Sequence, residues 1–287
     1  MSEREIFYTS QDGLRLFARD YGDRGSTKTP VLCLPGLTRN SKDFETLARH
    51  LAKERRVLCA DFRGRGRSQY CENPADYTPF HEMQDTLDLM TAAGVSNAVF
   101  VGTSRGGIVT MLLAAFRPAA IRRVILNDIG PLLEPAGLKR IAGYVGNNDA
   151  PATWDEAAIR VRMMNEREFP TVTGEEWRAY SRRTFAEENG LPKIDYDIKL
   201  GQMMRKGIET GAAVPNLWPQ WAALAHIPAL VIRGENSDLL SAETVARMAE
   251  LHPGMTALTI KDRGHAPFLD ESEAVGAIDA FLAGNEL

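Results

Sequence analysis

The chain has 287 residues, which is long enough for one large domain or two small ones with a sizeable hydrophobic core. Hydrophobic residues make up 44% and charged residues 25%, and 34 basic against 38 acidic residues give a formal net charge of -4. This composition is that of an ordinary globular protein and argues against nucleic acid as a partner. No stretch approaches the ~20 apolar residues of a membrane span, and the charged start has no apolar leader, so we expect a cytoplasmic protein without a membrane partner.

Apolar runs alternate with amphipathic stretches through the first half of the chain. Residues 6–10 and 14–21 flank Gln11-Asp12-Gly13, which predicts a β-hairpin at the edge of a sheet. The alternation that follows predicts strand 31–34, helix 41–54, strand 57–60, helix 80–93, strand 98–101, helix 108–116 and strand 123–126.

The alternation stops between residues 132 and 225, where the patterns are helical only. The predicted helices there are 138–145, 154–168, 175–188, 200–206 and 218–225. Strands and helices resume with strand 229–232, helix 242–251, strand 256–260 and helix 271–283. We therefore expect an α/β fold with a mostly parallel eight-stranded sheet and helices on both faces. Its core is residues 1–131 and 226–287, and residues 132–225 form an all-helical lid.

The segment around Ser104 is the most informative in the chain. An apolar strand ends at Gly102-Thr-Ser-Arg-Gly106, and an apolar helix follows at once. This Gly-x-Ser-x-Gly pattern between strand and helix is typical of a nucleophile elbow, in which glycines remove side chains that would collide with the tight turn. The helix N-terminus adds unpaired N–H groups and a positive dipole end. The alternative is that Ser104 only caps the helix.

Further polar or donor-rich residues follow other predicted strands. The carboxyl ends of parallel strands gather on one edge of a sheet, where functional groups meet. Gly36-Leu37, Asp238 and His265 follow three of these strands, and Asp128 follows a fourth. The chain order of Ser104, Asp238 and His265 matches the order of a hydrolase triad, and Asp128 is the competing acid because it also precedes His265.

Five motifs occur in an order and spacing that resemble the α/β-hydrolase superfamily, specifically its lidded esterases, lactonases and carbon–carbon hydrolases. The motifs are Leu34-Pro-Gly-Leu37, Asp61-Phe-Arg-Gly-Arg-Gly-Arg-Ser68, Gly102-Thr-Ser-Arg-Gly106, Gly234-Glu-Asn-Ser-Asp238 and Gly264-His265.

The resemblance implies a catalytic triad of Ser104, Asp238 and His265, with Asp128 as the alternative acid. It also implies an oxyanion hole made by the backbone N–H groups of Leu37 and Arg105. No metal and no cofactor are expected. A serine at position 104 argues against dehalogenase and epoxide hydrolase chemistry, which need a carboxylate nucleophile.

The expected function is that of a serine hydrolase, which cleaves a small carboxylic ester, thioester or lactone through an acyl-enzyme on Ser104. Three alternatives stay open: a carbon–carbon hydrolase of meta-cleavage-type diketones, an acyltransferase or perhydrolase, and a non-catalytic ligand receptor on the same fold. The expected partner is a small-molecule substrate, and the expected assembly is a monomer or small homo-oligomer.

Arginines beside these motifs have two possible roles each. Arg63, Arg65 and Arg67 form a glycine–arginine segment, which in an acidic protein predicts a folded turn whose arginines pair with carboxylates rather than a nucleic-acid site. Arg105, directly after Ser104, either meets an anionic group of the substrate or forms an outward salt bridge.

Overall fold

The computed structural model describes residues 3–209 and 216–284. Residues 1–2 and 285–287 of the predicted core and residues 210–215 of the predicted lid lie outside the described residues. The described strands are β1 (Glu3–Thr9), β2 (Arg15–Tyr21), β3 (Val31–Leu34), β4 (Val57–Asp61), β5 (Ala98–Thr103), β6 (Ile121–Asn127), β7 (Phe185–Glu188), β8 (Leu191–Ile194), β9 (Ala229–Gly234) and β10 (Met255–Ile260). The described α-helices are α1 (Glu45–Leu51), α2 (Pro79–Ala93), α3 (Arg105–Phe116), α4 (Pro135–Tyr144), α5 (Trp154–Asn165), α6 (Gly174–Thr184), α7 (Lys199–Glu209), α8 (Trp218–Ala222), α9 (Ala242–Leu251) and α10 (Ser272–Ala283).

Eight of these strands form one sheet in the order β1-β2-β4-β3-β5-β6-β9-β10. β2 runs antiparallel to both of its neighbours, β1 and β4, and all the other pairs are parallel. The prediction of a mostly parallel eight-stranded sheet is confirmed. Because β3, β5, β6, β9 and β10 point the same way, the loops that follow them meet at one edge.

Alternate residues of each central strand pack into different hydrophobic layers. Val31 and Cys33 of β3 belong to the layer that contains α1 and α10, whereas Leu32 and Leu34 belong to the layer that contains α2, α3 and α9. All four side chains are fully buried. Burial of such a side chain stabilises the fold by about 1.5–3 kcal/mol, and it requires cover on both sides of the sheet. The prediction of helices on both faces is confirmed.

The segment between β6 and β9 departs from the prediction, since it is not all-helical. The helix predicted over residues 175–188 ends at Thr184, and the chain continues as the antiparallel hairpin of β7 and β8. Asn189 and Gly190 form its two-residue turn with φ of 53° and 79°, which is the left-handed backbone that asparagine and glycine tolerate in such turns. The expectation of an all-helical lid is therefore wrong, and residues 132–225 contain five helices and a hairpin among the described residues.

Polar contacts fix this insertion, residues 132–225, to the loop that follows β3. Asn40 donates its side-chain amide to Asp195 at 2.9 Å, and Lys42 pairs with the same carboxylate at 2.8 Å. Lys42 also donates to the carbonyl of Phe185 at 2.7 Å, and Arg39 donates to Thr184 at 2.5 Å. The hairpin and α6 therefore lie beside the edge of the sheet where the strand ends meet.

Candidate active site

Ser104 lies in the tight turn between β5 and α3. Its backbone is left-handed, with φ of 50°, which is unusual for a residue with a side chain and lifts the hydroxyl clear of the sheet. The two flanking glycines make this turn possible. A Cβ on Gly102 would lie 2.6 Å from the Gly107 nitrogen, and a Cβ on Gly106 would lie 2.0 Å from the Leu34 carbonyl oxygen. Any other residue at either position would push β3, β5 and α3 apart.

His265 lies in the loop after β10 and reaches the Ser104 side chain. Its Nε2 is 2.9 Å from Ser104 Oγ, and its Nδ1 is 2.8 Å from Asp128 Oδ2. The His265 side chain is only 8% exposed. With a proton on Nδ1 donated to the carboxylate, Nε2 is left with a lone pair that faces the hydroxyl, which is the tautomer that a general base requires.

Asp128 follows the last residue of β6, and its carboxylate is fully buried. Oδ1 accepts a hydrogen bond from the Gly234 N–H at 2.8 Å, and Oδ2 accepts one from the Ser237 hydroxyl at 2.5 Å. Both donors come from β9 or the turn after it, the strand beside β6. These hydrogen bonds hold the buried carboxylate in the place where it meets the imidazole.

Asp238, the acid that the sequence favoured, does not contact His265. Its two carboxylate oxygens accept hydrogen bonds from Arg140 of α4, at 2.6 and 2.8 Å. Burial raises the pKa of Asp238, but the hydrogen bonds and charge of Arg140 outweigh burial and leave the pKa below its ordinary value. The expectation that Asp238 lies against the imidazole is corrected, because α4 holds its carboxylate and the alternative acid, Asp128, occupies that place.

The two predicted oxyanion donors lie in the loop after β3 and at the first residue of α3. A Cβ built on Gly36, the residue before Leu37, would lie 3.9 Å from Ser104 Cβ, so the loop after β3 passes close to the nucleophile. Arg65 Nε donates to the Leu37 carbonyl at 2.7 Å and so holds the peptide that follows the Leu37 N–H. In residues 3–209 and 216–284, neither the Leu37 N–H nor the Arg105 N–H has a hydrogen-bond acceptor. Arg105 begins α3, where the first N–H groups have no partner within the helix.

The arginine side chains near the elbow form salt bridges. Arg105 pairs with the buried Glu82 at 2.5 Å, so its side chain points away from the reacting groups. Arg65 pairs with the same carboxylate at 2.9 Å, and Arg63 pairs with Asp85 at 2.6 Å. Arg67 pairs with a glutamate of β1. The prediction of a folded turn with paired arginines is confirmed. Arg105 also forms a salt bridge, but the bridge is with the fully buried Glu82 and is not the outward one that the sequence offered.

A cavity of about 780 Å³ opens above these groups, between the strand ends and the insertion. Gly36, Leu37, Ser104 and His265 contribute from the core. The insertion contributes apolar, aromatic and charged side chains, among them Ile141, Tyr144, Arg160, Met163, Met164, Tyr180 and Arg183. This volume is in the range of about 300–1,000 Å³ that is typical of sites for small molecules.

Three residues near this site were not singled out from the sequence. Ser237 supports Asp128, Arg140 holds Asp238, and Arg183 lines the cavity. Ser237 lies inside the motif Gly234-Glu-Asn-Ser-Asp238, so its position beside a strand end was an available signal. Arg140 and Arg183 belong to helices of the insertion. The periodicity of a helix shows which of its faces is apolar, but it does not show which part of the core that face contacts.

No group of three or more histidine, cysteine, aspartate or glutamate side chains in residues 3–209 and 216–284 is arranged to hold a metal ion. In the same ranges, every helix is too short or too polar to cross a membrane.

Comparison with known proteins gives matches over most of the chain. A model of the Alpha/beta hydrolase family matches residues 31–278. The 3-hydroxybutyrate-oligomer hydrolase of Cupriavidus necator is 30% identical over 276 residues, which is 94% of this chain and 93% of that protein. The crystal structure of an alpha/beta hydrolase from Novosphingobium aromaticivorans is 42% identical with a TM-score of 0.89, and the match covers 98% of each chain. A putative hydrolase from Rickettsia typhi is 25% identical with a TM-score of 0.87, over 99% of this chain and 100% of that one.

Proposed function

Since the chain belongs to the alpha/beta hydrolase family and its relatives are hydrolases, we propose that it cleaves carboxylic esters through an acyl-enzyme on Ser104. In this proposal His265 is the general base and Asp128 is the acid that orients it. The observation that carries the proposal is the continuous hydrogen-bonded series from Asp128 through His265 to Ser104, at 2.8 and 2.9 Å, in the wall of the cavity. The insertion, residues 132–225, acts as a lid over a core of residues 1–131 and 226–287.

The first half of the reaction transfers the acyl group to the enzyme. Ser104 Oγ attacks the ester carbonyl while His265 Nε2 takes the hydroxyl proton, and the negative charge moves to the carbonyl oxygen. The N–H groups of Leu37 and Arg105 stabilise this oxyanion, and Asp128 stabilises the imidazolium. When the carbon–oxygen bond to the alcohol breaks, His265 gives its proton to the leaving oxygen. The product that leaves is the alcohol, and the acyl group stays on Ser104.

Water completes the reaction by the same steps. His265 removes a proton from a water molecule as its oxygen attacks the acyl carbonyl, and the proton then returns to Ser104 Oγ as the carboxylic acid departs. Each turnover therefore consumes one ester and one water and releases one alcohol and one acid. The relative from Cupriavidus necator suggests the first substrate class to test, which is a short linear oligoester of 3-hydroxybutyrate.

A panel of p-nitrophenyl esters of increasing acyl length, together with the methyl ester of the 3-hydroxybutyrate dimer, tests this function. We expect release of p-nitrophenol and of 3-hydroxybutyrate by the wild-type protein, and covalent labelling of Ser104 by a fluorophosphonate. Ser104→Ala should keep its melting temperature and lose activity by a factor on the order of 10⁴ to 10⁶. Retention of roughly a tenth of wild-type turnover by a clean Ser104→Ala preparation contradicts the proposal.

A further inference from the structure

Three arginines line the cavity, and two of them are neutralised by acids of the same cavity. Both oxygens of Asp43 accept hydrogen bonds from Arg39, at 2.5 and 2.8 Å, and the third guanidinium nitrogen of Arg39 donates to Thr184. Arg160 pairs with Glu156 at 2.8 Å and with Asp149 at 3.2 Å. Neither guanidinium is left with an unopposed charge.

Arg183 of α6 differs from the other two arginines, because the acid that it pairs with does not line the cavity. Its Nη1 donates to Asp270 at 3.1 Å, and Asp270 is outside the set of residues that line the cavity. Within residues 3–209 and 216–284, neither Nε nor Nη2 has a hydrogen-bond acceptor, and Nε is buried. The Arg183 side chain is only 16% exposed. A buried guanidinium nitrogen without an acceptor, such as this Nε, is costly unless a ligand or water accepts its hydrogen bond.

Aromatic side chains hold Arg183 next to the loop that carries His265. Its guanidinium lies 5.5 Å from the ring centre of Phe268 and 5.8 Å from that of Tyr180. Phe268 is the third residue after His265, and both rings line the same cavity as Ser104. These contacts orient the cation by its attraction to the ring faces without neutralising its charge.

We propose that Arg183 binds a carboxylate of the substrate, so that the preferred substrate is an ester with a free carboxylate at one end. This inference rests on the function proposed above and narrows its substrate class. Arginine binds carboxylates through its planar fork of N–H donors, and such charge-assisted hydrogen bonds are strongest where water is largely excluded. A linear oligoester of a hydroxy acid has its free carboxylate on the alcohol side of every ester bond that Ser104 would attack. A monoester of a dicarboxylic acid has it on the acyl side, so both kinds of ester are needed to test the Arg183 site.

Two chromogenic esters of the same acyl length separate this role from general support of the fold. Mono-p-nitrophenyl adipate carries the free carboxylate, and p-nitrophenyl hexanoate is its neutral counterpart. The wild-type protein should have the lower KM for the adipate ester. Arg183→Gln should raise the KM for the adipate ester about tenfold more than the KM for the hexanoate ester, which corresponds to about 1.4 kcal/mol of binding free energy. Equal changes in both KM values overturn the proposal for a carboxylate on the acyl side, and equal binding of the free and methylated 3-hydroxybutyrate dimer overturns it for a carboxylate on the alcohol side.

A neighbouring arginine serves as the matched control. Arg182 precedes Arg183 on the same helix, and it pairs with Glu187 at 2.9 Å with 54% of its side chain exposed. Because it is not among the residues that line the cavity, Arg182→Gln should leave the ratio of the two KM values unchanged. If Arg182→Gln changes the ratio of the two KM values as much as Arg183→Gln does, the effect comes from the overall charge of the helix, and a specific role for Arg183 is wrong.

Asp270→Asn is a second variant, and its expected effect has the opposite sign. It removes the carboxylate that competes for Arg183, so the KM for the adipate ester should fall while the KM for the hexanoate ester changes less. If the Arg183–Asp270 pair only supported the fold, Asp270→Asn should instead raise the KM for both esters, because loss of either partner would then disturb the whole site. If the melting temperature shows that Arg183→Gln is unfolded, the KM of Asp270→Asn for the adipate ester still tests the proposal, and a KM that does not fall contradicts it.

Calorimetric titration of the Ser104→Ala variant tests the binding site without turnover. The 3-hydroxybutyrate dimer should bind about tenfold more tightly as its free carboxylate than as its methyl ester, and Ser104→Ala combined with Arg183→Gln should lose the difference. If no ester is hydrolysed but the carboxylate form still binds preferentially, the proposed function fails and the Arg183 site stands. If the two forms bind equally or neither binds, the Arg183 site is wrong.

Discussion

The turns that follow β6 and β9 each carry an aspartate near His265, yet the two carboxylates have opposite surroundings. Asp128 is fully buried, and it accepts hydrogen bonds from a backbone N–H, a hydroxyl and the imidazole. The side chain of Asp238 is 23% exposed, and its oxygens face Arg140. The donors around each aspartate therefore determine which of the two carboxylates contacts His265. A carboxylate that is already paired with a guanidinium is not available to the histidine.

The turn after β9 nevertheless contributes to the site through the residue before Asp238. The Ser237 hydroxyl donates to Asp128 Oδ2, the same oxygen that faces His265 Nδ1, and it also accepts hydrogen bonds from the N–H groups of Leu239 and Leu240. The turn is thus folded around Ser237, and Asp238 is directed outward toward α4. One turn supplies the carboxylate and the other holds it in place.

Replacement of Asp128 by asparagine should have the largest effect among these positions. The amide keeps the shape of the carboxylate but favours the wrong imidazole tautomer, so kcat on p-nitrophenyl butyrate should fall by about 10⁴. The melting temperature should show that the variant is folded. If Asp128→Asn turns over at the wild-type rate, Asp128 is not the acid and the assignment returns to Asp238.

Replacement of Ser237 by alanine should have a smaller effect, because it removes one of three hydrogen bonds to Asp128 and leaves the charge. We expect kcat to fall about tenfold, which corresponds to about 1.4 kcal/mol in the activation free energy. Ser237→Thr keeps the hydroxyl and should recover most of the activity. Equal losses in both variants would show that the turn tolerates no change there, and they would contradict a role for the hydrogen bond.

The sequence predicted the parts of the fold and the candidate site that depend on neighbouring residues. Continuous apolar runs were sufficient for the central strands, since each is buried on both faces, and the turn Gln11-Asp12-Gly13 identified the hairpin at the edge. The placement of Ser104 and His265 at strand ends also came from local signals, namely the glycines of the elbow and the end of the last predicted strand. These two side chains are within hydrogen-bond distance in the structure.

Features that depend on distant contacts could not be predicted in the same way. Arg140 and Asp238 are separated by 98 positions in the sequence, and nothing in either segment identifies the other as its partner. The acid therefore could not be chosen between two aspartates in similar strand-end contexts. The hairpin of β7 and β8 is a different case, because Asn189-Gly190 is a strong turn signal that helical periodicity on its N-terminal side obscured.

Replacement of Asp238 by asparagine is the last and smallest test of the comparison between the two turns. The variant loses its ion pair with Arg140 but no contact with His265, so kcat should change less than about twofold. Because both side chains are partly exposed, at 23% and 24%, the ion pair should contribute at most about 1 kcal/mol to the free energy of unfolding. Glu187→Gln, which removes the more exposed pair with Arg182, is the matched control and should change the melting temperature less.

The pH dependence of this stability difference follows from the pKa of Asp238. Arg140 holds this pKa below its ordinary value, although burial opposes the shift. As the pH falls, the unfolded chain takes up the proton first, near pH ~4, so folding stability decreases there. The contribution of the ion pair is therefore complete at neutral pH and is lost as the pH falls through the folded-state pKa. Melting temperatures of the wild-type protein and Asp238→Asn should differ at pH ~7 and converge in acid.

A large loss of kcat in Asp238→Asn at unchanged stability would mean that its carboxylate leaves Arg140 for His265 during turnover, and the contrast between the two turns would then not hold.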